Sequence, residues 1–333
     1  MSSMTPLDVL NAAGNLRRVA VRTPLLSSPL VDEILGRRVV VKAESMQRTG
    51  SFKLRGAYNA LALMRPEQRA IGVIGGSSGN HAQALALAAR LFEVPATVVV
   101  PADAPAVKVQ AIDALGARIV MYDRHAGHRD TLVQRLAQEH GLSIVPSADH
   151  PAVIAGAGTV TWELLQDEPG LVAIFVPVGG GGLAAGTALA AHAGQPHGAR
   201  VIGVEPAVAD DTRRSLHAGR RISIPPPWTI ADGLGHTEPA YLPFEINRKL
   251  LDSIETVPEH RIADAMAYLW QYYRATAEPS GAVAFAGLLQ AADRLPAGPV
   301  GVVLSGGNAD WTTYRPLLDS AMERINSDAP VLH

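Results

Sequence analysis

Short apolar segments alternate along the chain with longer segments in which apolar residues recur every three or four positions. The short segments are rich in Val and Ile, which is typical of strands covered on both faces. The longer segments have the periodicity of helices. Strands are predicted at residues 38–44, 71–76, 96–101, 117–122, 142–147, 173–178, 200–205 and 301–307, with the clearest helices between them at 80–92, 106–116 and 152–166.

This alternation predicts an α/β fold, with mostly parallel sheets covered by helices. A chain of 333 residues is long enough for two domains. No internal repeat is visible. The run Pro225–Pro227 indicates a surface loop.

Composition narrows the classes of partner. The formal net charge is −2 and aromatic residues make up 5% of the chain, which argues against nucleic acid or an anionic membrane as a partner. No apolar run approaches the roughly 20 residues that span a bilayer, and the first residues do not resemble a signal peptide. With no cysteine, the chain has no disulfide and no thiolate chemistry. We expect a cytoplasmic protein that acts on a small molecule.

Four successive glycines, Gly179 to Gly182, follow a predicted strand and open a predicted helix. Backbone N–H groups in such a loop approach an anion closely, and the helix N-terminus favours negative charge. We interpret this glycine loop as a phosphate site; a flexible turn is the alternative. The phosphate could belong to a dinucleotide, with Glu205 on the ribose, or to an aldehyde cofactor held by a lysine.

Lys53 is one of only four lysines in a chain with many arginines. Unlike arginine, lysine can lose its proton and become a nucleophile. In a dry pocket beside Arg55 its pKa would be lowered, which would supply a free amine. The alternative is an ordinary surface lysine.

Glu205 and Asp211 flank a turn that contains proline. Two carboxylates with backbone oxygens and water suit Mg²⁺, Mn²⁺ or Ca²⁺. The alternative is a solvated acidic turn.

Four segments together carry a family resemblance: "SFKLRGA" (51–57), "SSGNHAQ" (77–83), "VPVGGGG" (176–182) and "SGGN" (305–308). They resemble the fold-type II pyridoxal-phosphate enzymes, in the serine/threonine dehydratase and serine racemase branch that includes threo-3-hydroxyaspartate ammonia-lyase. The resemblance implies a tryptophan synthase β-like fold with two open twisted sheets. It also implies a large cofactor domain (1–52 and 149–320), a small mobile substrate domain (53–148), a tail (321–333) and a homodimer.

The resemblance also assigns the cofactor residues. It implies that Lys53 forms the Schiff base with pyridoxal 5'-phosphate beside Phe52, and that the glycine loop binds the phosphate. Asn80 would bond the ring oxygen, and Ser305 would face the ring nitrogen. Partnering that nitrogen with a hydroxyl rather than a carboxylate weakens the electron sink, which favours elimination over transamination.

Further residues are implied for substrate and metal. Ser77, Ser78 and His81 would line the substrate carboxylate site, with Ser78 as acid/base on the face opposite Lys53. His81 could equally be structural. Arg129 could bind a second substrate carboxylate or lie on the surface, while His236 stands where the racemases carry a small hydroxyl residue. The metal ligands would be Glu205, the Ala209 carbonyl and Asp211.

The implied function is an ammonia-lyase that converts L-serine, L-threonine or 3-hydroxyaspartate to a 2-keto acid and ammonia through an aminoacrylate. Alternatives are a serine racemase with side dehydratase activity and a β-replacement synthase. A nicotinamide dehydrogenase and a non-catalytic amino-acid-binding protein fit Lys53 and Ser305 less well.

Overall fold

A computed structural model of the chain describes residues 4–77, 79–104, 106–123, 127–193 and 198–328. Its strands are β1 (Leu25–Ser27), β2 (Val39–Ala43), β3 (Val73–Gly76), β4 (Ala96–Pro101), β5 (Arg118–Tyr122), β6 (Ser143–Ile144), β7 (Ala173–Pro177), β8 (Arg200–Pro206), β9 (Ser253–Val257) and β10 (Val300–Leu304).

The helices are α1 (Pro6–Leu16), α2 (Pro29–Ile34), α3 (Lys53–Leu63), α4 (Pro66–Ile71), α5 (Asn80–Leu91), α6 (Ala106–Asp113), α7 (Arg129–His140), α8 (Pro151–Asp167), α9 (Gly182–Ala191), α10 (Asp211–Ala218), α11 (Tyr241–Leu250), α12 (Glu259–Tyr273), α13 (Pro279–Ala291) and α14 (Trp311–Asp328). No helix among the described residues is long and apolar enough to cross a membrane.

The strands form two sheets, which confirms the predicted fold class. The larger sheet has the order β1-β2-β10-β7-β8-β9, and the smaller has the order β5-β4-β3-β6. All neighbouring strands are parallel except β1 and β2. The smaller sheet is built from residues 73–144 alone. The boundaries predicted for the two domains stay a prediction.

Each predicted strand occurs, although the bounds of several differ. The structure also contains two strands that were not predicted. The segment at 71–76 starts as a strand only at Val73, and the segment at 142–147 is paired only over β6. Residues 305–307 leave β10 as a loop. Neither β1 nor β9 was predicted. Residues 220–230, which include Pro225–Pro227, carry no helix or strand and are largely accessible, as predicted.

Parallel strands direct their carboxyl ends to one edge of a sheet, where open α/β folds bind ligands. The glycine loop follows β7, and Ser305 follows β10. Ser77 follows β3 of the smaller sheet. The sequence motifs are therefore brought together by strand direction, although they are far apart in the chain.

Close helix packing fixes α3, the helix that begins at Lys53. A Cβ atom on Gly56 would lie 2.8 Å from the Val153 carbonyl oxygen of α8, and one on Gly156 would lie 2.4 Å from the Arg55 carbonyl oxygen. Only glycine at both positions allows the two helices to come this close. The glycine of the "SFKLRGA" motif thus holds α3 against α8.

Candidate active site

Lys53 is anchored to the end of β10 through its two preceding residues. Ser51 forms an isolated bridge with Gly306, and the Phe52 N–H donates to the Ser305 carbonyl oxygen over 3.1 Å. The Lys53 ammonium donates to the Ser147 carbonyl oxygen over 3.0 Å and lies 4.9 Å from the centre of the Phe52 ring. These contacts place Lys53 between the two sheets.

Burial lowers the pKa of Lys53 to about 8, while the nearby Glu278 carboxylate opposes this effect. The Lys53 amine is consequently uncharged in a fraction of molecules at neutral pH. A lysine in this state can attack an aldehyde carbon. The geometry therefore supports the nucleophilic lysine predicted at this position.

Arg55 does not lower the pKa of Lys53, contrary to the expectation from the sequence. Its buried guanidinium pairs with Glu44 over 2.8 Å and with Glu163 over 2.7 Å, and these carboxylates raise the pKa of Arg55. Lys42 also pairs with Glu163 over 2.7 Å. Because its own partners neutralise Arg55, burial alone depresses the pKa of Lys53. We call Lys42, Glu44, Arg55 and Glu163 the balanced cluster.

The glycine loop has no room for side chains. Gly181 has φ +87°, and a Cβ atom on it would lie 2.9 Å from the Asn247 side-chain nitrogen. On Gly180, a Cβ atom would lie 3.2 Å from the Ala148 Cβ. Within the described part of the chain, no group accepts a hydrogen bond from the N–H groups of Gly179 to Gly181. Together with the N-terminus of α9, these N–H groups are available to an anion.

The segment Ser147–Ala148 joins the glycine loop to the lysine. Ser147 accepts from the Lys53 ammonium, and the next residue packs against Gly180 and Gly182. The Lys53 amine and the N–H groups of the glycine loop therefore face the same short segment. A phosphorylated aldehyde would fit this pair of groups.

A hydrogen-bonded chain fixes the side chain of Asn80. Its oxygen accepts from the Asn308 side chain over 2.8 Å, and its nitrogen donates to Glu278 over 2.5 Å. Asn308 also donates to the Thr49 carbonyl oxygen over 2.6 Å. These partners leave one N–H of Asn80 for another acceptor. Ser305 is buried beside this chain, at the end of β10.

The two imidazoles predicted in the site are uncharged. Burial and the Lys53 charge lower the pKa of His81 to about 4, and the same two causes lower the pKa of His236 to about 4. His81 Nε2 lies 2.8 Å from the Val145 carbonyl oxygen, so this nitrogen carries the proton and donates it. His236 packs against Gly179 and Gly180. The structure thus brings His236 to the glycine loop.

Arg129 lies at the carboxyl end of β3. A Cβ atom on Gly76 would lie 2.8 Å from Arg129 Cγ and Cδ, and the charge of Arg129 contributes to the low pKa values of both imidazoles. Its side chain is 45% exposed and its Nε donates to Asp130 over 2.8 Å. Ser77 lies beside it and its hydroxyl accepts from the Gly79 N–H. Ser78 lies outside the described residues.

The predicted metal residues lie together at the end of β8. Glu205 accepts from the Thr212 and Arg213 N–H groups over 3.0 and 2.9 Å. Asp211 is fully buried, and neither of its carboxylate oxygens accepts a hydrogen bond from another described residue. Burial and the Asp211 charge raise the pKa of Glu205 to about 8. Among the described residues no group of three or more acidic, His or Cys side chains gathers, so carbonyls such as that of Ala209 would complete a site.

A buried carboxylate with two unpartnered oxygens is unstable unless a cation or a proton neutralises it. Burial accordingly raises the pKa of Asp211 to about 7. An all-oxygen donor set of this kind fits Mg²⁺, Mn²⁺ or Ca²⁺. We call residues 205–211 the acidic turn.

Sequence reasoning missed Glu278, an acid that accepts from Asn80 and acts electrostatically on Lys53. Burial raises its pKa to about 7, while its bond to Asn80 opposes the shift. A Pro immediately after it, at the start of α13, marks a helix N-terminus in the sequence. No spacing links it to Lys53, because the two meet only through the fold.

Two sheets with a lysine and a glycine loop between them define the class of enzymes that hold a phosphorylated aldehyde through a lysine. The chain belongs to the family described as "Pyridoxal-phosphate dependent enzyme", whose model matches residues 16–306. This match confirms the predicted family.

Within this family, the chain is similar to ammonia-lyases and serine racemases. The L-threo-3-hydroxyaspartate ammonia-lyase of Saccharomyces cerevisiae is 43% identical over 311 residues, covering 93% of this chain and 95% of that protein. The serine racemase of Schizosaccharomyces pombe is 38% identical over 311 residues, covering 93% and 96%. The structure of maize serine racemase superimposes with a TM-score of 0.90 at 35% identity, covering 98% of this chain and 100% of the other. The similarity to an ammonia-lyase and to serine racemases is the one that the resemblance predicted.

Proposed function

We propose that this protein is a pyridoxal-phosphate-dependent ammonia-lyase that converts a β-hydroxy amino acid to a 2-keto acid and ammonia. One observation carries the proposal: the Lys53 amine and the glycine loop contact the same segment, Ser147–Ala148. The yeast relative is an ammonia-lyase and spans nearly the same length.

Lys53, the glycine loop, Asn80 and Ser305 would hold the cofactor. The Ser51 hydroxyl, which is buried and bonds to none of the described residues, adds a polar group close to Lys53 in the chain. When bound, the cofactor supplies an electron sink for the bond broken at the substrate Cα. A hydroxyl at Ser305, in place of a carboxylate, would be a weak partner for the ring nitrogen, which would favour elimination over transamination.

Lys53 is the base that removes the proton from the substrate Cα. Its pKa of about 8 is close to neutral pH, where a general base is most effective. The neutral imidazole of His81 donates to Val145 and presents a lone pair at Nδ1. We assign the substrate α-carboxylate to Ser77, Ser78 and the N-terminus of α5, with His81 in the wall of this site.

Arg129 and His236 would bind a second carboxylate on the substrate, which favours 3-hydroxyaspartate. Arg129 offers a forked donor at the end of β3, and neutral His236 offers one further N–H. The charge of Arg129 lowers the pKa of His236 as well as that of His81, so Arg129 and His236 lie in the same part of the site. The yeast relative, which acts on L-threo-3-hydroxyaspartate by name, supports this choice.

Arg129→Gln tests the second carboxylate site. We expect kcat/KM for L-threo-3-hydroxyaspartate to fall about tenfold or more, because a charge-assisted bond contributes roughly 1.5–3 kcal/mol. The value for L-serine, which lacks that carboxylate, should change little. Equal loss for both substrates would place Arg129 elsewhere in the mechanism.

The acidic turn would bind Mg²⁺, with Mn²⁺ or Ca²⁺ as substitutes. Glu205, the Ala209 carbonyl and Asp211 are the proposed ligands. The partnerless oxygens of Asp211 support this assignment.

A serine racemase is the second candidate, because the maize structure superimposes over almost the whole chain. In that reaction Ser78 would return a proton to the face opposite Lys53. Ser78→Ala should then spare keto-acid release and stop L/D interconversion. If both activities fell equally, Ser78 would not be the opposite-face acid.

The substrate assay separates these functions. Keto-acid release is measured from L-serine, L-threonine and L-threo-3-hydroxyaspartate, each with Mg²⁺ and with a chelator. We expect release that is fastest with L-threo-3-hydroxyaspartate and falls with chelator. No release from any substrate by the cofactor-loaded protein would contradict the lyase function and favour racemase or β-replacement chemistry.

The homodimer, the cytoplasmic location and the absence of nucleic-acid or membrane partners remain predictions from the sequence. The large and small domains keep the same status. Size-exclusion chromatography with light scattering would test the homodimer.

A further inference from the structure

Glu278 is a buried acid that the reaction described above does not use. It is 7% exposed and precedes Pro279, the first residue of α13. Its N–H donates to the Gly306 carbonyl oxygen over 3.1 Å. The start of α13 is therefore fixed against the loop that follows Ser305.

The backbone is shaped to let this carboxylate reach the site. A Cβ atom on Gly306 would lie 2.1 Å from Glu278 Oε1, and one on Gly281 would lie 2.2 Å from the Gly306 carbonyl oxygen. Any side chain at these positions would push the acid away from Asn80. Glycine at both positions is what makes the contact possible.

We propose that Glu278 is a positioning residue that, with Asn308, fixes the amide orientation of Asn80 so that one N–H points to the cofactor ring oxygen. Asn308 donates to the amide oxygen and Glu278 accepts from the amide nitrogen, so a flipped amide would oppose donor to donor and acceptor to acceptor. The inference rests on the proposed cofactor role of Asn80.

The charge of Glu278 also acts on the Lys53 ammonium. Its carboxylate and the Lys53 ammonium influence each other electrostatically, and Lys108 and Asp232 also act on Glu278. Lys108 and Asp232 form an ion pair over 3.0 Å, so they largely offset each other at this distance. Glu278 therefore also holds negative charge near the amine.

The test compares Glu278→Ala with Glu278→Gln. Alanine removes the acceptor and leaves the Asn80 amide unfixed, whereas glutamine keeps an oxygen acceptor without charge. We expect the dissociation constant of pyridoxal 5'-phosphate to rise about tenfold or more in E278A, as for loss of one buried hydrogen-bond partner. E278Q should recover most of that affinity. The ratio of the two long-wavelength absorption bands of the bound cofactor, which responds to the hydrogen bond at its ring oxygen, should change in E278A.

Asn308→Ala supplies a second, independent variant. Since both residues act through Asn80, the double variant E278A/N308A should lose less affinity than the sum of the single losses. Glu259→Gln is the matched control, because Glu259 accepts from the Ile230 N–H outside the site. Cofactor affinity and band ratio of E259Q should equal those of the wild type.

The outcomes distinguish the inference from the proposed function. Wild-type affinity and band ratio in both E278A and N308A would overturn the positioning role, even with the cofactor bound to Lys53. Fully additive losses would also overturn it, because the two residues would then act separately. Failure of the wild-type protein to bind pyridoxal 5'-phosphate would instead contradict the proposed function itself. If E278A does not fold, the comparison of E278Q with N308A by the same two readouts decides.

Discussion

Two regions of this protein bury charged side chains, and the charges are balanced in one region but not in the other. In the balanced cluster, two cations meet two carboxylates through ion pairs of 2.7 to 2.8 Å. In the acidic turn, Glu205 and Asp211 lie together, and no other residue that the structure describes donates to either carboxylate oxygen of Asp211. Burial raises the pKa of Glu205 and of Asp211, but the pKa of Glu44 in the balanced cluster is lowered, since Arg55 outweighs its burial.

The difference teaches that net charge, rather than burial, separates a structural ion cluster from a ligand site. The balanced cluster satisfies its own members and joins β2, α3 and α8, so it positions the helix that carries Lys53. The acidic turn leaves negative charge uncompensated, which a bound cation would complete. Lys53 is an intermediate case, because it is partly buried but forms no ion pair with a described residue.

The largest expected effect comes from breaking the balanced cluster. Arg55→Met leaves Glu44 and Glu163 with too little positive charge, and removing one partner from a buried pair is expected to lower the free energy of unfolding by about 3–5 kcal/mol. Urea denaturation of the apoprotein measures this. A loss below about 1 kcal/mol would show that the cluster does not stabilise the fold.

The next largest effect is expected in the pH dependence of the rate at which Lys53 captures the cofactor. Its pKa of about 8 lies below the ordinary value of 10.5, so the reactive free amine forms as pH rises through 8 rather than through 10.5. The rate at which the apoprotein captures pyridoxal 5'-phosphate should therefore increase from pH 6 upward, with a midpoint near 8, and then level off. Stopped-flow absorbance follows the reaction. A rate that keeps rising tenfold per pH step up to about 10 would indicate an unperturbed lysine.

A bound cation should stabilise the acidic turn, because the turn leaves negative charge uncompensated, whereas the balanced cluster needs no cation. Mg²⁺ at about 100 times its dissociation constant should raise the free energy of unfolding of the wild type by about 2.7 kcal/mol. Asp211→Asn should abolish this gain, and in metal-free buffer it should be no less stable than the wild type because it removes like-charge repulsion. Asp319→Asn, whose parent pairs with Arg315 in α14 and outside the acidic turn, is the control. Stabilisation by Mg²⁺ that survives in D211N would place the metal elsewhere.

The smallest effect is expected from breaking an exposed ion pair whose N–O distance is similar to those in the balanced cluster. Arg22 and Asp167 lie 2.5 Å apart with side chains 51% and 35% exposed. Arg22→Met should lower the free energy of unfolding by less than about 1 kcal/mol, since solvent screens such pairs. Urea denaturation beside R55M tests the contrast. A loss as large as in R55M would mean that burial does not decide the strength of these pairs.

Most of the parallel sheet structure could be predicted because its strands are nearly continuous apolar runs. The two strands that were missed lie at the edges of the larger sheet. β1 is only three residues long, and β9, "SIETV", alternates with polar residues because much of it is accessible. Edge strands are less buried, so their composition carries a weaker signal.

The site could be predicted where residues are neighbours in the chain and not where they meet only in space. The glycine loop and Lys53 each sit in a local motif, and the structure joins them through Ser147 and Ala148. Glu278 was missed, and Arg55 was given the wrong partner, because Glu163 is 108 positions away in the chain. Sequence patterns report local chemistry, whereas the pKa of a buried group depends on partners that only the fold supplies.

The most direct test of the central claim is to trap the cofactor and find which lysine carries it. The protein is incubated with pyridoxal 5'-phosphate, reduced with borohydride, digested and mapped by mass spectrometry. We predict an adduct on Lys53 and none on Lys42, which is fully buried and pairs with Glu163; Lys53→Ala should carry no adduct. An adduct chiefly on Lys42, Lys108 or Lys249, or none in the wild type, would contradict the assignment of Lys53.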